Sequence, residues 1–263
     1  MRRKTAAVCR ATDEVLCVSI PKIIHYCWFG GGPISEADRK CMESWKKYCP
    51  DYRIMRWDET NFDLDCSPYV RQAYDAGRYA FVSDYVRLAV LYRYGGIYLD
   101  TDVELVKPLD ELLELPGFMG FQTNNEVATG LGFGARKGNS VVQALLRDYD
   151  ALDFLKADGS ADLTPCPERN TRVLQALGVR KDGTRQSIAE MEIFPAEYFC
   201  PMDFYSRELR VTPKTYSIHR YAESWKPKPS AVSRILQRLL KKHYYTWYCP
   251  LRGRIEGRLR KRT

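Results

Sequence analysis

Residues 83–102, SDYVRLAVLYRYGGIYLDTD, constrain this chain more than any other stretch. Apolar residues recur at helical spacing through 79–94. Gly95 and Gly96 then punctuate the pattern, and a short apolar strand is expected over 97–100. Asp100 and Asp102 follow, one residue apart. A helix that turns through two glycines into a strand ending in acids belongs in an open α/β sheet. In such sheets ligands gather at the C-terminal ends of strands.

The rest of the chain supports that class. Strands are expected at 20–28 and 52–57, and helices from Ser35 to Tyr48 and from Pro68 to Gly77. Further strands are expected near 117–121, 131–135 and 215–219, with a helix near 139–152. The polar stretch 153–190 has no readable period. Alternating strands and helices predict an α/β fold. A length of 263 residues suits one large domain with additions. The expected organisation is a loose lead-in over 1–18, a main domain over 19–228, and a basic amphipathic helix and tail over 229–263.

Charge narrows the function classes. The net charge is +8, but 12 Lys+Arg and one acid lie in 226–263. The first 225 residues carry 29 basic against 32 acidic side chains. A slightly acidic body argues against a nucleic-acid protein, which carries positive charge across its working face. Nine cysteines are scattered with no C-x-x-C pair, so no structural zinc site is expected. No apolar run reaches the ~18–20 residues that span a bilayer. Arg2-Arg3-Lys4 is not followed by the apolar stretch of a signal peptide. These features predict a cytoplasmic protein.

Three D-x-D pairs occur: Asp63/Asp65, Asp100/Asp102 and Asp148/Asp150. Asp148/Asp150 fall in a helical pattern, where residues two apart face different sides. Asp63/Asp65 lie just before a helix start, where acids serve as caps. Asp100/Asp102 differ, because side chains alternate along a strand. If the strand persists, Tyr98, Asp100 and Asp102 share one side. Two carboxylates at a strand end suit Mn²⁺ or Mg²⁺, which also take substrate phosphates. Asp84 and Arg87, three apart, read either as a solvated ion pair or, given their apolar surroundings, as a half-buried pair directed at a ligand. His219 ends the expected strand 215–219 and reads, on the residues alone, as a polar strand end. His25 reads as a strand residue facing a neighbour.

The run SDYVRLAVLYRYGGIYLDTD resembles the signature of glycosyltransferase family 32, sugar transferases with a DXD motif and a GT-A fold. IPKIIHYCWFGG resembles that family's first strand and HRYAESW its closing motif, so the similarity covers about residues 20–225. The resemblance implies a GT-A Rossmann-like mixed sheet flanked by helices. It implies Asp102 as metal ligand, Asp100 shared between metal and ribose, and Arg87 on the donor's sugar or phosphate. Asp84 then meets ribose or base, Ser83 and Tyr98 line the donor site, and Trp28 stacks near the base. Ser224 and Trp225 are carried over to the diphosphate, and the late ligand common in GT-A enzymes maps to His219, which would complete the metal shell or touch the diphosphate. The activity implied is retaining transfer of a hexose from a nucleotide sugar without an enzymic nucleophile. A UDP-sugar is favoured over GDP-mannose, and the acceptor is a glycan or lipid-linked oligosaccharide of bacterial capsule or lipopolysaccharide type. The alternatives are a nucleotide-sugar-binding protein without turnover, and a nucleic-acid protein using the basic tail.

In that tail, Val232, Ile235, Leu236, Leu239 and Leu240 share one helical face, with basic residues elsewhere and aromatic residues after. Such a helix either lies on an anionic membrane surface or docks on the main domain. The first alternative would place the protein on the inner face of the cell membrane, near a lipid-linked acceptor.

Overall fold

The computed structural model describes residues 19–204 and 206–222. The chain opens with β1 (Ile23–Cys27), α1 (Glu36–Tyr48), β2 (Arg53–Trp57), α2 (Pro68–Asp75) and α3 (Tyr79–Tyr94). The short strands β3 (Gly96–Tyr98) and β4 (Val103–Leu105) follow, then β5 (Gly117–Phe121), β6 (Val127–Ala128) and β7 (Phe133–Ala135). Next come α4 (Ser140–Asp150), α5 (Cys166–Ala176), β8 (Gln186–Ile188), β9 (Met191–Phe194), the single turn α6 (Ala196–Phe199) and β10 (Ser217–His219). One mixed sheet has the order β2-β1-β3-β7-β5-β9-β8, with β6 paired to β5; β10 and β4 form a separate antiparallel ladder. The expected architecture, a mixed sheet flanked by helices, is observed.

Strand direction decides where a ligand can sit. β2, β1 and β3 are parallel, β7 runs against both β3 and β5, and β9 is parallel to β5. The C-terminal ends of β1, β2, β3, β5 and β9 therefore share one edge. Asp100 leaves the sheet at that edge, after β3.

Local sequence explains the frame. Ser35 caps α1, its hydroxyl accepting the Asp38 N–H at 3.0 Å. Trp45 of α1 is fully buried and its indole N–H donates to the Val103 carbonyl at 2.7 Å, fixing β4. Helix α3 is buried on most sides, through Phe81, Val82, Tyr85, Val86, Leu88, Val90 and Leu91. It is a core helix rather than an amphipathic surface one. It ends where Gly95 takes φ +67°. At Gly96, φ is +108° and a Cβ would lie 2.8 Å from the Ile23 carbonyl oxygen, so only glycine fits between α3 and β1.

His25 stitches β1 to its neighbours, as the strand reading expected. The Trp57 indole N–H donates to Nδ1 at 3.0 Å, and Nε2 lies 2.9 Å from the Gly95 carbonyl. Those partners are satisfied by the neutral imidazole carrying its proton on Nε2. Burial pushes the His25 pKa down to about 4, helped by the Arg53 charge and opposed by the Gly95 carbonyl.

Several expectations need correction. The first strand occupies 23–27 rather than 20–28, because Ile20 pairs instead with the Leu113 carbonyl. β3 stops at Tyr98, and Asp100 lies beyond it in a turn whose Val103 N–H returns to the Asp100 carbonyl. The strand expected at 215–219 is Ser217–His219, and that at 131–135 is Phe133–Ala135. The stretch 153–190 holds α5 and β8. Its polarity concealed them because α5 buries Arg169, Asn170 and Thr171. Cys27, Cys41, Cys49, Cys166 and Cys200 are buried free thiols and Cys66 is an exposed one. No described helix is long and apolar enough to cross a membrane. The tail at 229–263, like Ser224 and Trp225, lies outside the described residues.

Candidate active site

The site is built on α3. Asp84 and Arg87 are one turn apart on it, buried to 8% and 6% exposure, with Arg87 Nη1 3.1 Å from Asp84 Oδ1. Arg87 Nη2 donates to Asp100 Oδ1 at 2.9 Å. The Tyr98 hydroxyl donates to the same oxygen at 3.0 Å, and the Arg87 guanidinium lies 4.9 Å from the Tyr98 ring centre. One carboxylate oxygen of Asp100 is thereby pinned by a cation and a phenol. The Asp100 N–H donates to the Gly130 carbonyl at 3.1 Å. A Cβ on Gly130 would stand 1.9 Å from Asp100 Oδ2, so the missing side chain makes room for that second oxygen.

Charge follows from burial. Burial raises the Asp84 carboxyl to about 6, and the Arg87 charge opposes the rise. Breaking a buried pair of this kind leaves an uncompensated charge and costs ~3–5 kcal/mol.

Asp102 is held from the opposite end of the chain. β10 runs antiparallel to β4 with His219 opposite Val103, which brings the imidazole to Asp102. His219 Nε2 lies 3.2 Å from Asp102 Oδ1, and the Ala222 N–H donates to Asp102 Oδ2 at 2.8 Å. Burial pushes the Asp102 carboxyl up, but the His219 attraction, its hydrogen bond and the Ala222 N–H together hold it below its ordinary value. Burial likewise lowers His219, and Asp102 more than reverses that.

Asp100, Asp102 and His219 each offer one ligand atom, and these lie within 4.8 Å of one another. Opposite ligands around an ion at ~2.1 Å are ~4 Å apart, so small side-chain shifts close the shell. Two carboxylate oxygens suit Mn²⁺ or Mg²⁺, and the imidazole nitrogen fits Mn²⁺ better than the oxygen-preferring Mg²⁺. Among the described residues the buried His219 Nδ1 has no hydrogen-bond partner, and the ring is oriented through Nε2 on Asp102.

The expected strand alternation is not how the acids converge. Beyond Tyr98 the chain turns, and Asp100 and Asp102 are aimed by different partners. Arg87 and Tyr98 hold one; His219 and Ala222 hold the other. The Ser83 hydroxyl donates to the Tyr79 carbonyl at 3.0 Å, inside its own helix. Trp28 follows β1 at the ligand edge, and its indole N–H donates to the Gly32 carbonyl at 2.6 Å. The other two pairs are occupied elsewhere. Asp148 binds Arg172 at 3.1 Å, Asp150 accepts from Tyr85 at 2.8 Å, and Asp65 pairs with Arg71 at 2.7 Å. Asn124, Asn125 and Glu126 form a turn, with Asn125 at φ +62°.

Sequence reasoning missed the layer behind Arg87. Thr129 and Cys166 lie 3.4 and 3.6 Å from Nη1, and Asn170 Nδ2 donates to the Thr129 hydroxyl at 3.1 Å. The signal available was Gly130 within an apolar run, which marks a close approach. Cys166, Asn170 and their helix α5 lie in the stretch whose polarity hid it.

Residues 35–118 match the family model described as a glycosyltransferase sugar-binding region containing a DXD motif, a match that includes Asp84, Arg87, Asp100 and Asp102. Those residues are similar to a sugar-binding region of the glycosyltransferase kind. Inositol phosphoceramide mannosyltransferase 3 of Schizosaccharomyces pombe is 31% identical over 144 residues, covering 52% of this chain and 39% of that protein. Human alpha-1,4-N-acetylglucosaminyltransferase is 28% identical over 148 residues, covering 56% of this chain and 38% of that protein. The chain thus spans under half the length of these relatives. The solved PaToxG glycosyltransferase is 23% identical with a TM-score of 0.45, over 60% of this chain and 69% of that one.

Proposed function

We propose that the chain is a metal-dependent, retaining glycosyltransferase that moves a hexose from a nucleotide sugar to a glycan or lipid-linked acceptor. The observation carrying this reading is the gathering of Asp100, Asp102 and His219, with Arg87 behind them, at the C-terminal edge of a mixed sheet. A divalent ion held there supplies positive charge for the leaving diphosphate. Arg87 and Tyr98 keep Asp100 in one orientation, and Ala222 and His219 do so for Asp102. Pre-set ligands of this kind cost no rearrangement during reaction. The buried Asp84 holds Arg87 from the helix side, while Trp28 lies at the edge where a base would stack. The names of the relatives include both mannosyl and N-acetylglucosaminyl transfer, so GDP-mannose stands beside UDP-sugars as a donor.

The test is a panel of nucleotide sugars scored for Mn²⁺-dependent hydrolysis and transfer, with NMR of the product anomer. Asp102→Ala is expected to abolish both activities, and near-normal turnover by it refutes the assignment. Binding of UDP or GDP without any turnover on the panel would favour the nucleotide-sugar-binding alternative. A capsular or lipopolysaccharide acceptor, and a cytoplasmic location with 229–263 on an anionic membrane, complete the proposal. Liposome flotation unaffected by deleting 229–263 would refute the membrane part.

A further inference from the structure

The ladder between β4 and β10 runs one pair past its strands and then changes partner. The Arg220 N–H donates to the Asp102 carbonyl at 3.0 Å, in register with His219 opposite Val103. Hydrogen-bonded pairs recur at every second residue of an antiparallel ladder. The next bond would therefore run from the Ala222 N–H to the Asp100 carbonyl. That carbonyl already accepts the Val103 N–H at 3.0 Å. The Ala222 N–H donates instead to Asp102 Oδ2 at 2.8 Å. The switch from a backbone carbonyl to a carboxylate is made at Tyr221.

Tyr221 has φ +52°, and among the described residues it is the sole aromatic one in the left-handed region. A bulky side chain stays there only where its surroundings over-determine it. Here they do. The phenol oxygen lies 2.8 Å from the Sγ of Cys200, which is fully buried. The Tyr221 ring lies 4.2 Å from the His219 ring and meets Phe204 edge-on at 5.1 Å, with the Arg207 guanidinium 5.2 Å from its centre. The anchor is joined to the strand it serves. The Cys200 N–H donates to the Ala196 carbonyl at 2.7 Å, closing α6, and the Tyr216 N–H donates to the Tyr198 carbonyl at 2.7 Å, tying that turn to β10.

The turn decides how Asp102 is supported. If the chain stayed extended through Tyr221, the Ala222 N–H would point toward Asp100, and His219 alone would hold the Asp102 carboxylate. With the turn, Oδ2 takes the Ala222 N–H while Oδ1 faces His219 Nε2 at 3.2 Å. We infer that Tyr221 is a positioning residue for the metal ion: its left-handed backbone aims the Ala222 N–H at Asp102 and so presets Oδ1 beside His219. Tyr221 supplies no ligand atom itself. The inference rests on the reading of Asp100, Asp102 and His219 as metal ligands. Supporting contacts of this kind carry ~10–100-fold in metal affinity.

Mn²⁺ titration of the full chain tests it, with the free ion followed by electron paramagnetic resonance, alone and with UDP or GDP. The variants are Tyr221→Ala, Tyr221→Gly and Tyr221→Asn. All three lose the phenol and the ring, but glycine and asparagine adopt positive φ far more readily than alanine. Tyr221→Ala is expected to weaken Mn²⁺ binding by ~10–100-fold. Tyr221→Gly and Tyr221→Asn should each bind roughly five-fold tighter than the alanine variant, as the left-handed preference requires. Lost packing alone predicts no such order, since glycine loses the most conformational freedom on folding. Circular dichroism checks that each variant is folded, and two rescuing residues keep the comparison open if one misfolds. Wild-type affinity in Tyr221→Ala, or glycine and asparagine variants no tighter than alanine, would overturn the inference. Misfolding of all three would assign Tyr221 to stability and overturn it as well. A wild type that binds no Mn²⁺ with or without nucleotide would instead count against the metal-site reading, so the two failures are distinct.

Discussion

His25 makes the folded chain sensitive to mild acid in a way that can be isolated from its other titrating groups. Its ring is fully buried between the Trp57 indole N–H and the Gly95 carbonyl. A proton added at Nδ1 would face the Trp57 N–H, donor against donor. The folded pKa of about 4 lies below the ordinary 6.5, so the unfolded chain takes the proton more readily. The stabilisation is present above about pH 6.5 and is lost as pH falls from there through about 4. Between about pH 7 and pH 5 the loss from this one residue is about 2 kcal/mol, a large part of a domain's ~5–15 kcal/mol. The perturbation is His25→Gln, which cannot titrate. It lowers stability at both pH values by losing fitted hydrogen bonds, but it should remove the pH-dependent part. Urea unfolding of wild type and variant at the two pH values measures this, since other groups cancel in the difference. Wild type should lose about 2 kcal/mol more than the variant between about pH 7 and pH 5. Equal losses would refute both the neutral tautomer and the burial argument.

Three further outcomes follow from the site. Gly130→Ala places a Cβ against Asp100 Oδ2 and should cut Mn²⁺-dependent donor hydrolysis by ~10–100-fold, comparable to disturbing a metal's supporting contacts; a melting temperature within a few degrees of wild type would show that the loss is local. Arg87→Met removes the cation between Asp84 and Asp100, and chemical denaturation should show a loss of ~3–5 kcal/mol. Asp84→Asn in the same background should recover part of it, because one stranded charge disappears. His219→Ala should weaken Mn²⁺ binding, read by calorimetry, while leaving the β1–β3 core intact by circular dichroism.

Much of this was legible in the sequence because it is local. The helix 79–94, its double-glycine stop, the Ser35 cap and the segment carrying Asp84, Arg87, Asp100 and Asp102 are all written within short windows. The ion pair in apolar surroundings is buried as its neighbours suggested. What local pattern could not supply was the length of β3. Three residues of strand give too few alternations to carry a face as far as Asp102, so the side-sharing argument failed although the acids do converge. The partners of Asp102, His219 and Ala222, come from 117 and 120 positions later, and nothing near it announces them. Helix α5 was hidden for a different reason. Its buried face carries Arg169, Asn170 and Thr171, so a hydrophobicity pattern misses it while the polar network behind Arg87 depends on it.

The ladder between β4 and β10 sets an order of events during synthesis. The sheet from β1 to β9 can pair before β10 leaves the ribosome, but Asp102 meets His219 and Ala222 only once residues 217–222 have emerged. A one-residue slip in that ladder would turn His219 to the opposite face. Ion binding would favour the correct register by mass action, because only that pairing completes the ligand set. Metal affinity would then report that residues 217–222 have been made and paired in register, and a chain halted before β10 would carry both aspartates yet lack the imidazole that completes their site.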